Sequence, residues 1–259
     1  MSGRRAVVGG ASSGLGAATA AALAAQGVDL LLWSRGLDRL DALAADLRAR
    51  HGVTVHTLAA DASDPAAAAT VAATATEKLG GVDVLVLNAG GPKPCPADAT
   101  DADTWREALQ LLHVTPVDLA TRLLPGMRER RYGRVVAVLS SGVREPLPEL
   151  AYSNSGRAAL AAWLKTVPRA VAADGITVNG VVPGRIDTER VASLDAAAAA
   201  RQGLDVAEVQ ARSIATIPAG RYGDPAEFAA AVGFLASEQA SYVTGALLSC
   251  DGGMMRSLG

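Results

Sequence analysis

Short apolar runs rich in Val and Leu alternate along this chain with Ala-rich segments whose apolar positions recur at helical spacing. The first run, around Val7 and Val8, ends in a glycine-rich stretch, and residues 17–25 then read as a helix closed by Gly27. Residues 28–33 form a second strand. Residues 38–50 form an amphipathic helix with Leu40, Leu43 and Leu47 on one face. A strand at 53–59, a helix at 65–79 stopped by Gly80 and Gly81, and a strand at 82–87 follow. The spacing then predicts a long helix over 104–130, with Pro116 as a kink, and a fifth strand at 134–139. A helix beginning at Tyr152 extends through Leu164 towards Ala173, and residues 176–182 form a sixth strand. A helix at 225–236 and a last short strand at 246–249 complete the pattern.

This alternation predicts an α/β fold. It implies one Rossmann-type doubly wound parallel sheet of about seven strands, with helices on both faces. No linker or repeat divides the chain, so residues 1–259 are expected to be one domain. Residues 189–221 are less regular, with an alanine run and a helix start at Asp205, where Glu208 is spaced for a capping box. Their place after the sixth strand favours a substrate lid over a plain surface excursion.

Composition narrows the class. Half the residues are apolar, the net charge is −2, and acids and bases are interspersed, which points to neither nucleic acid nor a membrane surface. No apolar run is long enough to cross a bilayer. Cys95 and Cys250 lie far apart with no metal-ligand spacing, so no metal site is expected. That usage, and an N-terminus running from Arg4 and Arg5 straight into a strand, suit a cytoplasmic protein.

The stretch Gly10-Ala11-Ser12-Ser13-Gly14-Leu15-Gly16 carries the candidate chemistry. Missing Cβ atoms let backbone N–H groups approach a phosphate, and the following helix adds its positive end. A tight turn with close helix packing is the blander alternative. Ser34 and Arg35 follow the second strand, where this fold meets the adenosine ribose. No acid stands there to take a free 2′-hydroxyl. The planar cation of Arg35 suits a 2′-phosphate, so NADP(H) is expected over NAD(H), against the alternative of a solvated surface arginine.

Together with Asp61-Ala62, Asn88-Ala89-Gly90, Ser140, Tyr152, Pro183-Gly184, Ile186, Thr188 and the tail from Tyr242 to Gly253, the chain resembles the short-chain dehydrogenase/reductase family along nearly its whole length. The likeness is strongest to its 3-oxoacyl-acyl carrier protein reductases. The resemblance implies that Gly10, Ser12, Ser13, Gly14, Leu15, Gly16, Ser34, Arg35, Asp61, Ala62, Asn88, Ala89, Gly90, Tyr152, Pro183, Gly184, Ile186 and Thr188 contact the cofactor. It implies Ser140 and Tyr152 as catalytic residues, the Tyr as acid/base and the Ser as its hydrogen-bonding partner on the substrate oxygen.

The chain departs from that family at two expected positions. Gly156 stands four residues after Tyr152, where the family has Lys, and Leu112 stands where it has Asn. The interval between Ser140 and Tyr152 is one residue shorter than usual. Gly9 also replaces a Thr, and Leu87 an Asn. Successive helix residues are turned by about 100°, so Arg157 does not inherit the Lys position; a surface or interface arginine is expected, against the alternative that its long side chain reaches back past Gly156 and supplies the charge. Lys93 could reach the site from its loop, although a solvated lysine is the commoner outcome. His113 is expected in core or interface packing, and Arg185 could meet the cofactor or an acidic substrate. The resemblance implies an NADP(H)-dependent ketoreductase or alcohol dehydrogenase acting on a small carbonyl or alcohol. The alternatives are a cofactor-binding scaffold and a non-redox dehydratase, cyclase or isomerase. No charge trap is evident in 189–221, which favours a neutral substrate. A homotetramer or homodimer is expected, using the helix at 225–236 and the C-terminal strand region.

Overall fold

In the computed structural model, which describes residues 1–257, seven strands form one parallel sheet in the order β3-β2-β1-β4-β5-β6-β7. They are β1 (Arg5–Gly9), β2 (Asp29–Ser34), β3 (Val55–Ala59), β4 (Val84–Leu87), β5 (Gly133–Val138), β6 (Ile176–Pro183) and β7 (Leu247–Cys250). The expected doubly wound sheet is therefore observed. From β1 the chain builds outward to β2 and β3, then returns to place β4 on the other side of β1. That reversal opens a crevice beyond the carboxyl ends of β1 and β4.

Alternation along each strand explains why both faces are covered. Val7, Leu31, Leu85 and Val135 point to one core, shared with α3 (Ala67–Leu79), α5 (Thr115–Glu129) and α6 (Ala151–Thr166). Ala6, Val8, Leu32, Val86 and Val136 point to the other, against α1 (Gly14–Ala24), α2 (Leu37–His51) and α10 (Pro225–Ala236). Among the described residues no helix is long and apolar enough to cross a membrane, and no cluster of three or more His, Cys, Asp or Glu could hold a metal.

Three elements differ from the sequence expectation. The long helix over 104–130 is split into α4 (Ala102–Leu109), a π-helical turn (Gln110–Val114) and α5. The Thr115 N–H reaches back to the Gln110 carbonyl, and the wide turn places Pro116, which has no N–H to donate, in the first turn of α5. The helix from Tyr152 ends at Thr166 and restarts as α7 (Pro168–Val171), because Pro168 cannot continue the ladder. The segment 189–221 contains α8 (Glu189–Gln202) and α9 (Val206–Ala215). The capping box expected at Asp205 does not form. Asp205 makes no side-chain cap, and Glu208 pairs instead with Arg212 at 2.6 Å. The observed capping box is Asp224 with Glu227, at the start of α10.

Candidate active site

The turn after β1 has the geometry of a phosphate cradle. Gly10 (φ +57°) and Gly14 (φ +52°) adopt left-handed conformations that other residues rarely take. Gly16 is closed in by the Gly10 carbonyl, so a Cβ there has no room. Ser13 caps α1 by position without a side-chain hydrogen bond, and the first turn holds no acid. The leading N–H groups of α1 thus remain available to an anion. Ser12, Ser13 and Leu15 sit half-buried on this turn. Asn88, at the end of β4, donates through Nδ2 to the Gly9 carbonyl at 3.0 Å and the Gly10 carbonyl at 3.4 Å, clamping the turn to the sheet. Gly9 also has a packing reason: a Cβ there would lie 2.5 Å from the Asn88 carbonyl oxygen and 3.1 Å from the Trp33 ring.

At the end of β2, Ser34 is buried and donates to the Gly36 carbonyl at 3.3 Å. Arg35 is exposed and makes no side-chain hydrogen bond or ion pair among the described residues, which leaves its whole fork free. Asp61 accepts from the Ser63 backbone N–H at 3.0 Å and from its hydroxyl at 2.9 Å. Those bonds, with the field of Arg35, hold its carboxyl below the ordinary aspartate range. The carbonyl of buried Ala62 accepts from Thr115 at 2.8 Å, tying this end to α5. A phosphorylated ribose fits an unpartnered Arg35 better than a surface ion pair would.

Along the other side of the crevice lie Ala89, exposed Gly90, Pro183, Gly184, buried Ile186 and Thr188. Thr188 caps α8, accepting from the Val191 N–H at 3.4 Å, and its methyl faces Gly14 across the crevice. Gly184 packs against Asp251, where a Cβ would lie 2.7 Å from the Asp251 Cα.

Helix α6 presents two adjacent lines of buried residues. Tyr152 and Gly156 face α4 and the π-helical turn. The Tyr152 ring meets Trp105 edge-on at 4.6 Å between centroids. Its hydroxyl accepts from the Asp101 N–H at 3.0 Å and donates to the Asp101 carboxylate at 3.3 Å. A Cβ on Gly156 would lie 2.9 Å from Leu112 Cβ, so the space beside Gly156 is filled by Leu112. Ser153 and Arg157 form the second line. Arg157 is only 8% exposed and reaches the strand ends, donating from Nη1 to the Val138 carbonyl at 2.6 Å and from Nη2 to the Ala89 carbonyl at 3.1 Å. The expectation of a surface or interface arginine is therefore overturned: the helix turn that takes Gly156 towards Leu112 takes Arg157 under the crevice. Ser140, after β5, is half-buried and accepts from the Gly142 N–H at 3.2 Å. The hydroxyls of Ser140 and Tyr152 share no hydrogen bond. Lys93 is exposed and takes no part.

Comparison with known proteins identifies the scaffold. The family model described as Enoyl-(Acyl carrier protein) reductase matches residues 10–255. The chain is 32% identical over 259 residues to the NADPH-dependent reductase BacG of Bacillus subtilis, covering 100% of both chains. It is 32% identical over 255 residues to the 3-oxoacyl-acyl-carrier-protein reductase FabG of Vibrio cholerae, covering 98% of each. This chain belongs to the short-chain dehydrogenase/reductase family. The L-sorbose reductase of Gluconobacter frateurii, solved with NADPH and L-sorbose, matches this dehydrogenase/reductase with a TM-score of 0.94 at 33% identity, covering 100% of this chain and 98% of that one.

Sequence reasoning centred the candidate site of this dehydrogenase/reductase on Ser140 and Tyr152, with Arg157 only as an alternative source of charge and Ser153 unassigned. A signal was present. Ser153 and Arg157 are four residues apart, the spacing the family uses for its Tyr and Lys. Starting from Ser153 also removes the one-residue shortening after Ser140. The tyrosine beside it drew the assignment to Tyr152. Nothing local to 189–221 shows that Arg190, on α8, reaches the loop after β4.

Proposed function

We propose that this NADP(H)-dependent oxidoreductase reduces the carbonyl group of a small molecule at the carboxyl ends of β4 and β5, with Ser140, Ser153 and Arg157 around the reacting oxygen. The observation that carries this reading is the Arg157 guanidinium, fixed on the carbonyls that end β4 and β5. Two of its five N–H donors are used there, and the others remain for a ligand. Burial, reinforced by Arg190, pulls its pKa down to about 10, so it is still a cation at neutral pH. An arginine in that state does not relay protons. It stabilises negative charge as that charge grows on the carbonyl oxygen. The Ser140 and Ser153 hydroxyls orient the same oxygen, and the proton comes from water. NADP(H), when bound, supplies the hydride; the glycine turn, Arg35 and Thr188 are the residues that would hold it.

Reduction is the favoured direction, because the site offers no base to take a proton from an alcohol. Gly156 and Leu112 pack against each other and bring no functional side chain to the site. Tyr152 serves to hold α6 against α4 in this scheme. We place residues 189–221 as a lid over the substrate. Exposed Phe234, Tyr242 and Leu248 support assembly through α10 and the β7 region into a homotetramer or homodimer. The two free cysteines suit the cytoplasm. The direct test is to mix pure protein with NADPH or NADH and a panel of carbonyls and follow cofactor absorbance. Turnover with NADPH is expected, and cofactor oxidation by neither nucleotide would overturn the assignment.

A further inference from the structure

Two guanidiniums meet over the loop after β4 without a carboxylate between them. Arg157 holds the Ala89 carbonyl from below. Arg190, in the first turn of α8, donates from Nη2 to the Pro92 carbonyl at 3.0 Å, and a Cβ on Gly91 would lie 3.0 Å from that same nitrogen. Neither arginine forms an ion pair among the described residues. The nearby acids are engaged elsewhere: Glu189 with Arg39 at 3.0 Å, and buried Asp195 with Arg185 at 2.9 Å and the Tyr222 hydroxyl at 2.8 Å. Burial lowers the pKa of Arg190, and Arg190 in turn lowers that of Arg157. Arg190 is exposed at the mouth of the crevice and Arg157 is buried next to it, so an anion that reaches Arg190 from solvent also meets the field of a buried, unpaired cation. The cofactor phosphates have their own donors at the glycine turn and at Arg35. Arg157 reaches the strand-end carbonyls of the proposed reaction centre, and Arg190, two residues beyond Thr188, contacts the loop after β4.

We infer that Arg190, with Arg157 beneath it, is an oxyanion subsite for the substrate, so that this enzyme prefers carbonyl compounds bearing a carboxylate or phosphate near the reacting carbon. This rests on the reductase reading above and reverses the expectation of a neutral substrate. Arg190 sits on the segment that covers the crevice, so binding the anion also draws α8 down onto the loop after β4.

The test pairs each anion with its neutral counterpart: acetoacetate with ethyl acetoacetate, and dihydroxyacetone phosphate with dihydroxyacetone. The carboxylate and phosphate arms separate the two kinds of oxyanion. Wild type should favour at least one anion by about 10- to 100-fold in kcat/KM, the scale of a charge-assisted contact. Arg190→Gln should bring that ratio to within about threefold of one, Arg190→Lys should keep part of it, and the Kd for NADPH should stay within about threefold. An unchanged ratio in Arg190→Gln would overturn the subsite. So would a large loss of NADPH affinity with the ratio intact, because the anion served would then be the cofactor's pyrophosphate. Binding of acetoacetate and of dihydroxyacetone phosphate to the NADP⁺ complex is also measured by calorimetry, in wild type and Arg190→Gln. Arg190-dependent binding without turnover would leave the subsite standing and sink the reductase reading. Absence of binding, or binding that ignores Arg190, would sink the subsite.

Discussion

Two lines of residues on α6, one position apart, do different work. The Tyr152–Gly156 line faces α4 and is closed: an aromatic contact with Trp105, a hydroxyl bonded to Asp101, and a glycine filled in by Leu112. The Ser153–Arg157 line faces the strand ends and carries a buried cation with unspent donors. Both lines are buried, and both start with a hydroxyl side chain. What separates them is the polarity of the surface opposite. Apolar Leu112 and Trp105 meet one line, and bare strand-end carbonyls meet the other. A packed line is a poor place for chemistry, and a half-satisfied one is a good place for a ligand.

The largest test of this contrast is Arg157→Met. It removes the cation but keeps much of the volume, and kcat/KM for carbonyl reduction should fall by about 10²–10⁴-fold, with Arg157→Lys recovering part. The same cation sets an upper pH limit. Its proton is held up to about 10, so reductive turnover should be steady through neutral pH and fall as pH rises through about 10. A pH–rate profile with no such fall would argue that the charge is idle.

Next comes Ser153→Ala beside Tyr152→Phe. Loss of the Ser153 hydroxyl should reduce kcat by about 10- to 100-fold. Loss of the Tyr152 hydroxyl should leave turnover within about threefold and lower the melting temperature slightly, because it frees Asp101. The opposite ranking in steady-state kinetics would return the chemistry to Tyr152 and break the comparison.

Gly156→Lys probes the closed line from the other side. A lysine at 156 must displace Leu112, so thermal or denaturant unfolding should show a loss of about 1–3 kcal/mol. Any gain in oxidative turnover would show that the line opens onto the site after all.

An effect of similar size concerns the far end of the crevice, where Arg35 stands free. Arg35→Ala should narrow the preference for NADP(H) over NAD(H) by about 1–3 kcal/mol in calorimetric affinities. Equal affinities already present in wild type would remove Arg35 from the cofactor site.

Much of this molecule was legible from period and punctuation. The seven strands, the glycine turn, and Arg35 after β2 all follow from local rules: β-branched runs, positions that need a positive φ, and the residue that follows a strand. The misjudged capping box shows the limit even of local signals. Asp205 and Glu208 carry the pattern as clearly as Asp224 and Glu227 do, yet only the second pair closes, with Pro225 presetting the first helical turn.

The sequence by itself determined the fold, the glycine turn after the first strand and the absence of a lysine four residues after Tyr152. It did not determine which of two adjacent lines of α6 meets the strand ends. Each residue turns the helix by about 100°, and an apolar stripe wide enough to bury both lines carries no record of which lies nearer which neighbour. That choice was made by tertiary packing. The π-helical turn sets Leu112 against Gly156, and this rotates Arg157 onto the carbonyls of Val138 and Ala89. The approach of Arg157 to Arg190 was decided the same way, because residues distant in the chain reach the same loop after β4.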